Sequence, residues 1–524
     1  MMKLTRIPHT ALVAVTLALF PLGAGAGDTG AEGAGQPLAL RQSIEQALAN
    51  NLDISVQKAK PLASEQDYFA TEAEFDPSLF GSVSYARTES PSASPYANPA
   101  VGETKATAAA LGVQQKFSFG TSYKLTLDTT QADTNSLVTS LNPSYASNLD
   151  LALTQPLLKN FGTGPNTYRL VIAKNAKGVS DADFAAKVMD VVTKTEQTYW
   201  DLVAARHDLA VQEEALRWAK DFKRQMELKV QVGVMAPIEV AAADAQVAVQ
   251  EEALIKTRLA IKNTQDNLKA LMNGNDLPLG GDDDISPTDE PVYRESPVNL
   301  QHLRETAYDK RPDYHQALLA LDSKQTERAY NENQTLPTLN LVADVKLHGL
   351  RGEPQTVTVG GQSITSSLGG TQSDSLSDAG GGKYYDYSVG VQFEYPLFNR
   401  AAKSRAVKSQ VEADAARMAL AGLRQTIDLQ VMAAARSLEA ARQTIEATRL
   451  SRVLAEKKLA AETRKFEVGT STSFTVLQYQ KDLAAAKSNE MRAATDYQKA
   501  VAQLDRATGT ILERNNITLT MQGQ

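Results

Sequence analysis

The sequence predicts an α+β chain of two structural repeats, in which strands and unusually long helices alternate and any entry into a membrane is made by strands. Three observations predict it. Segments about 236 to 260 residues apart repeat one another, short runs alternate apolar with polar residues, and two stretches keep a heptad period far beyond the length of a globular helix.

The chain opens with Lys3 and Arg6, the apolar run Ala11 to Phe20, then Pro21 and the small residues Ala24, Gly25 and Ala26. This is the layout of a secretory signal peptide, so residues 1–26 are expected to be removed. Ten apolar residues are too few for a membrane helix, which needs about 20. Beyond residue 26 no window of 18 apolar residues occurs. An exported chain without a helical span can enter a membrane only as a closed barrel. Loss of Lys3 and Arg6 takes the formal charge from −7 to −9, with no basic footprint to suggest a nucleic-acid partner.

The duplication sets the domain organisation. Leu40-Arg41-Gln42 and Asn51-Leu52-Asp53 align with Leu300-Gln301-His302 and Arg311-Pro312-Asp313. Gln155-Pro156-Leu157 aligns with Tyr395-Pro396-Leu397, and Val232-Gly233 with Val468-Gly469. A first repeat over 27–273 and a second over 298–510 follow. Residues 274–297, rich in Gly, Pro and Asp, read as a linker, and 511–524 as a C-terminal tail.

Each repeat begins with helical patterning, near 41–75 and 299–334. Strands follow over about 78–156 and 338–396. Leu339, Leu341, Ala343, Val345 and Leu347 alternate with more polar neighbours, as do Val389, Val391, Phe393 and Tyr395. In the first repeat Val83 and Tyr85, then Val113, Phe117 and Phe119, then Tyr123, Leu125 and Leu127, then Leu149, Leu151 and Leu153 do the same, with a tight turn at Gly120-Thr121. Such alternation fits a soluble sheet or a membrane barrel with a wet lumen. The first repeat has 79 residues from Pro77 to Pro156 where the second has 59 from Pro337 to Pro396, so an extra hairpin is expected near 109–130. Residues 351–382, rich in Gly, Ser and Thr, are expected to form a flexible loop.

Long helices come next. Leu202, Ala205, Leu209, Gln212, Leu216 and Ala219 follow a 3,4 spacing, and Leu438, Ala441, Ile445 and Thr448 repeat it. Past each glycine the period resumes, with Val240, Val247, Leu254, Ile261 and Leu268, and with Val476, Leu483, Glu490, Tyr497 and Leu504. Between about 166 and 230 there is no proline, so this helix approaches about 100 Å. Gly233 and Gly469 stand where each hairpin reverses, a place suited to a left-handed residue.

This order, with Lys229-Val230-Gln231-Val232-Gly233-Val234 at one tip and Lys465-Phe466-Glu467-Val468-Gly469-Thr470 at the other, resembles the TolC-like outer membrane efflux proteins over nearly all of the mature chain. The resemblance implies an α+β membrane protein: a trimeric outer-membrane β-barrel continued by a long α-helical, coiled-coil barrel in the periplasm. It implies export through that channel with a periplasmic adaptor and an inner-membrane pump of the RND, ABC or another class. Gly233, Val234, Gly469 and Thr470 become the adaptor-docking tips, and Glu239, Ser471, Thr475 and Gln478 the periplasmic entrance. Family members commonly carry acidic residues at the positions of Thr475 and Gln478 and a basic one at Ser471, so the acidic gate is absent here and Glu239 is the acid that remains. The alternative readings are a secreted coiled-coil structural protein or adhesin, and a periplasmic adaptor.

Catalysis finds no support. With no cysteine and five scattered histidines there is no thiolate metal site, Cys nucleophile or His ligand pair, and no phosphate loop or nucleophile elbow occurs. No cofactor or metal is expected. The acidic run Asp282-Asp283-Asp284 lacks ligands at alternating positions and reads as a solvated part of the linker.

Overall fold

The computed structural model describes residues 16–17, 35–91, 99–274, 277–281, 283–293, 299–359 and 362–519. Apart from 16–17, the signal segment lies outside them, as do Asp282 and residues 520–524 of the tail. From residue 36 the principal elements are β1 (Gln36–Leu38), α1 (Leu40–Asn50), α2 (Leu52–Glu72), β2 (Ser78–Pro91), β3 (Val101–Lys116), β4 (Ser122–Thr134) and β5 (Leu141–Pro156). Then come α3 (Thr163–Gln231), α4 (Ile238–Met272), β6 (Ile285–Pro287), α5 (Leu300–Lys310), α6 (Pro312–Asn333), β7 (Thr338–Pro354), β8 (Thr356–Val359) and β9 (Gln362–Thr365). The chain closes with α7 (Gln372–Gly380), β10 (Tyr384–Glu394), α8 (Arg400–Glu467), α9 (Ser473–Thr508) and α10 (Ile511–Arg514). It divides into two units, one of residues 63–177 and 319–417, the other of 1–62, 178–318 and 418–524.

The first unit holds one six-stranded antiparallel sheet, ordered β10-β7-β5-β4-β3-β2. The expected extra hairpin is longer than 109–130. It is the pair β3–β4, hydrogen-bonded along both flanks and therefore internal to the sheet. Phe117 and Phe119 lie in the turn rather than in a strand. Their rings stack at 5.4 Å, and Gly120 closes the turn at φ +99°.

Residues 351–382 do not form a bare loop. The chain continues β7, makes the β8–β9 hairpin and then forms α7, which lies on the sheet. Ser375 and Ala379 are fully buried there. The Ser375 hydroxyl donates to the Gly349 carbonyl at 2.9 Å, Gln372 donates to Thr129 Oγ1, and Arg351 pairs with Asp378 at 2.7 Å. The physical reason is Gly349: a Cβ there would stand 1.8 Å from the Ser375 carbonyl oxygen, so only glycine admits the helix.

In the second unit α1 stops and α2 restarts at Asn51, which is extended (φ −63°, ψ 127°) and donates to the Leu271 carbonyl. Arg311, also extended, separates α5 from α6; its guanidinium holds Asp313 and the Ala507 carbonyl. The linker is docked. β6 pairs in parallel with β1, Ile285 is fully buried, and Asp289 accepts from the Tyr199 hydroxyl and the Leu40 amide, both at 2.7 Å. Asp284 pairs with Lys262. The tail is docked too, since Ile511, Leu512 and Ile517 join Ile44, Phe184 and Val188 in one apolar cluster.

Candidate functional site

Both hairpin tips belong to the second unit and end α3 and α8 in the same way. Gly233 (φ +77°) donates to the Val230 carbonyl and Val234 to Lys229, both at 3.0 Å. Gly469 (φ +80°) donates to Phe466 at 3.2 Å and Thr470 to Lys465 at 2.9 Å. Each is a Schellman closure, a bond spanning six residues wrapped around one spanning four, which needs a left-handed residue at the glycine. Neither glycine has any atom within 4 Å of where a Cβ would stand. Backbone conformation rather than space demands glycine.

Below the closures the two tips share a core of Phe222, Met226, Ala243, Phe466 and Val476. Lys229 Nζ lies 4.1 Å from the centre of the Phe466 ring. The residues expected at the entrance take separate partners. Glu239 accepts from the buried Ser473 hydroxyl, joining the first hairpin to the second. Ser471 donates to Glu462 at 2.6 Å, and this hydroxyl together with Lys465 holds the Glu462 carboxyl below its usual range. Thr475 donates its amide to the Thr472 hydroxyl, the cap of α9, and Gln478 donates to Asp482 at 2.9 Å. The tips also expose a set of apolar side chains beyond Val234: Val232, Ile238, Val468 and Phe474, the last 75% exposed. Only their position beside the two glycines distinguished them in the sequence from seam residues.

The sheet segregates its faces by residue parity. Ladder partners run Leu79, Val113, Leu125, Leu151, Val345, Tyr387 across all six strands, so the odd-numbered residues of every strand share one face. That face carries Leu79, Val83, Leu111, Leu127, Leu149, Leu153, Leu341, Leu347, Val389 and Val391. Aromatic residues bound it: Tyr85, Tyr145, Tyr385 and Tyr387 toward one end, Tyr123, Phe393 and the Phe117–Phe119 turn at the end where the helices join. From Tyr385 to Phe393 the rise is about 27 Å along the strand, or about 20 Å vertically at the usual tilt of about 40°. The even face is polar. Asn148 donates to Asp128 at 2.7 Å, and both ring nitrogens of His348 face oxygens, Asn148 Oδ1 at 3.0 Å and Asp386 Oδ2 at 2.6 Å. Among the described residues no helix is long and apolar enough to cross a membrane. The helix α7 sits on the odd face, over Thr129, Ser147 and Gly349, where the apolar residues give way to small polar ones.

Known proteins share this architecture. The family model for outer membrane efflux proteins matches residues 43–274 and 303–510. The outer membrane protein TolC of Vibrio cholerae is 25% identical over 194 residues, 36% of this chain; the chain spans 44% of that relative's length. The Campylobacter jejuni CmeC outer membrane channel superposes with a TM-score of 0.62 at 16% identity, covering 90% of this chain and 86% of that one. The open-state MtrE outer membrane channel of Neisseria gonorrhoeae gives a TM-score of 0.59 at 14% identity, covering 91% of each chain.

Proposed function

From the premise that the chain belongs to the outer membrane efflux protein family, and so is an efflux channel of the outer membrane reaching into the periplasm, we propose that three copies close one β-barrel in outer-membrane lipid. The helices of the two repeats continue that barrel as a periplasmic tunnel. The tips at Gly233, Val234, Gly469 and Thr470 then receive a periplasmic adaptor, which couples the channel to an inner-membrane pump. The observation that carries this reading is the parity of the sheet: an apolar face about 20 Å tall, bounded by aromatic residues, backs a polar face fit to line water. The exposed apolar residues of the tips, Val232, Val234, Ile238, Val468 and Phe474, support the docking role.

At the entrance we infer a closure held by packing. Val476 and Leu483 are buried, and Glu239, the one carboxylate among the four entrance residues, accepts from the Ser473 hydroxyl. Multivalent cations added on the periplasmic side of a planar bilayer are expected to block weakly, and Thr475→Asp with Gln478→Asp to create a tight block. The deciding experiment for the whole reading is fractionation of expressing cells. Heat-resistant trimers beginning near Gly27 are expected in the outer membrane, with export lost when the gene is deleted; recovery as a soluble periplasmic protein refutes the reading.

A further inference from the structure

We infer that the six-stranded sheet is one third of an eighteen-stranded wall, closed where the edge strand β2 of one copy pairs antiparallel with the edge strand β10 of the next. The inference rests on the trimeric channel reading above and adds to it the seam between copies and the width of the lumen. Four observations carry it.

First, among the described residues both edges of the sheet lack a neighbouring strand along 14 and 11 residues, and both keep the parity of the interior strands. Leu79, Val83 and Tyr85 on β2, and Tyr385, Tyr387, Val389, Val391 and Phe393 on β10, stand exposed on the odd face. An apolar, exposed strand with a free backbone edge cannot face lipid unpaired, because each unmatched amide costs several kcal/mol in hydrocarbon, of order the values for any buried unsatisfied group. Second, the directions fit. β2 runs away from the end where α2 enters the sheet, and β10 runs back toward the end where α8 leaves it, so the two edges meet antiparallel like the five pairs already formed.

Third, the register already contains the tilt of a barrel. Leu79 and Phe393 both stand at the helical end of their strands, yet the ladder row from Leu79 arrives at Tyr387, six residues away from Phe393. Six residues are about 20 Å along a strand and five strand spacings about 24 Å across the sheet. If the helical ends are level, the strands therefore lean by about 40°, inside the 35–45° of closed membrane barrels. Fourth, no strand is spare. β3 and β4 are paired to neighbours over nearly their whole lengths on both sides, so they cannot leave the wall without opening two ladders. At equal tilt, diameter grows about linearly with strand number. Six strands per copy make the lumen about half as wide again as four would.

The native chain has no cysteine, so the seam can be tested directly in the full-length protein in outer membranes. Val83→Cys is combined with Val389→Cys or with Val391→Cys, the two odd positions nearest its level across the seam. Oxidation, or bridging with a short bis-maleimide, is expected to shift denatured chains from monomer to covalent dimer and trimer bands in at least one pairing, while the single variants stay monomeric. Electron cryomicroscopy of the unmodified, detergent-extracted assembly is expected to count eighteen strands. A trimer that links at neither register and shows a wall of another strand number overturns the seam alone. Absence of any outer-membrane trimer overturns the channel reading and the seam with it.

Discussion

Substitutions at Gly469 separate what the second tip needs for folding from what it needs for docking. Gly469 holds φ +80° with no atom within 4 Å of a built Cβ, so alanine meets only backbone strain. That strain is about 1–2 kcal/mol. Asparagine tolerates the left-handed region better and costs less. Proline cannot take a positive φ and also removes the amide donated to the Phe466 carbonyl, a loss of about 3 kcal/mol or more. The strained turn is capped by the local cluster of Phe222, Met226, Ala243, Phe466 and Val476, so the cost is paid by local opening of residues 465–476. At tenfold per 1.4 kcal/mol, Gly469→Ala lowers amide protection there by about 5- to 30-fold and Gly469→Pro by more than about 100-fold. Hydrogen exchange on the purified trimer reads this directly, with a sheet peptide such as 141–156 as an internal reference. Export is expected to fall in the order native, Asn, Ala, Pro while trimers persist. Loss of protection throughout the sheet, or loss of trimers together with export, refutes a docking role in favour of a folding one. Native protection and export in the proline variant refute the need for the left-handed turn.

Three further outcomes follow from the packing. Leu151→Arg, midway along the apolar band of the odd face, is expected to cost about 2–4 kcal/mol and deplete the outer-membrane trimer, whereas Lys346→Glu on the even face leaves assembly intact and shifts the zero-current potential of a bilayer toward cation selectivity; an unchanged potential puts the even face outside the lumen. Gly349→Val drives a side chain into the Ser375 carbonyl and unseats α7 at a cost of about 1–3 kcal/mol, read as new protease cleavage between 369 and 383 with trimers retained. Arg514→Met leaves the buried Glu196 carboxyl and the half-buried Asp505 carboxyl without their shared cation. Burial already pushes both upward and Arg514 opposes it, so in the variant both take up protons on folding. The loss, about 3 kcal/mol near neutral pH, therefore shrinks as pH falls toward the carboxylate range; thermal melting that is equally depressed at every pH contradicts this assignment.

Local signals made the faces and the tips legible. Alternation survives in single sequence because every odd residue of a two-faced strand meets the same environment, so Leu149, Leu151 and Leu153 name their face without knowledge of their neighbours. Gly233 and Gly469 were legible because a long heptad run that ends on a lone glycine has few other uses for it. What stayed hidden depended on distant partners. Ile285 is one apolar residue between Asp284 and Ser286, and its burial requires β1, about 250 residues earlier. Residues 366–382 carry too few apolar groups to announce a packed helix. The seat of α7 is instead made by a hydroxyl, an Arg351–Asp378 pair and the missing side chain of Gly349, none of which leaves a periodic trace. Phe117 and Phe119 keep the strand period by accident of a turn in which they stack on each other.

The exposed tip residues bear on why docking and assembly belong together in the proposed channel. Val232, Val234 and Ile238 on one tip, and Val468 and Phe474 on the other, are the apolar side chains one chain can offer to a partner there. Burying each yields at most about 1.5–3 kcal/mol, while bringing two proteins together costs about 4–15 kcal/mol before any net affinity appears. One chain's tips thus come close to break-even. Three copies held in one barrel present the same patch three times at fixed spacing, and linked contacts raise the overall affinity by about 10² to 10⁴ without any new contact. An adaptor built on the same symmetry therefore distinguishes an assembled channel from a stray chain by avidity. The seam between β2 and β10, which makes the trimer, is then also what makes the tips recognisable.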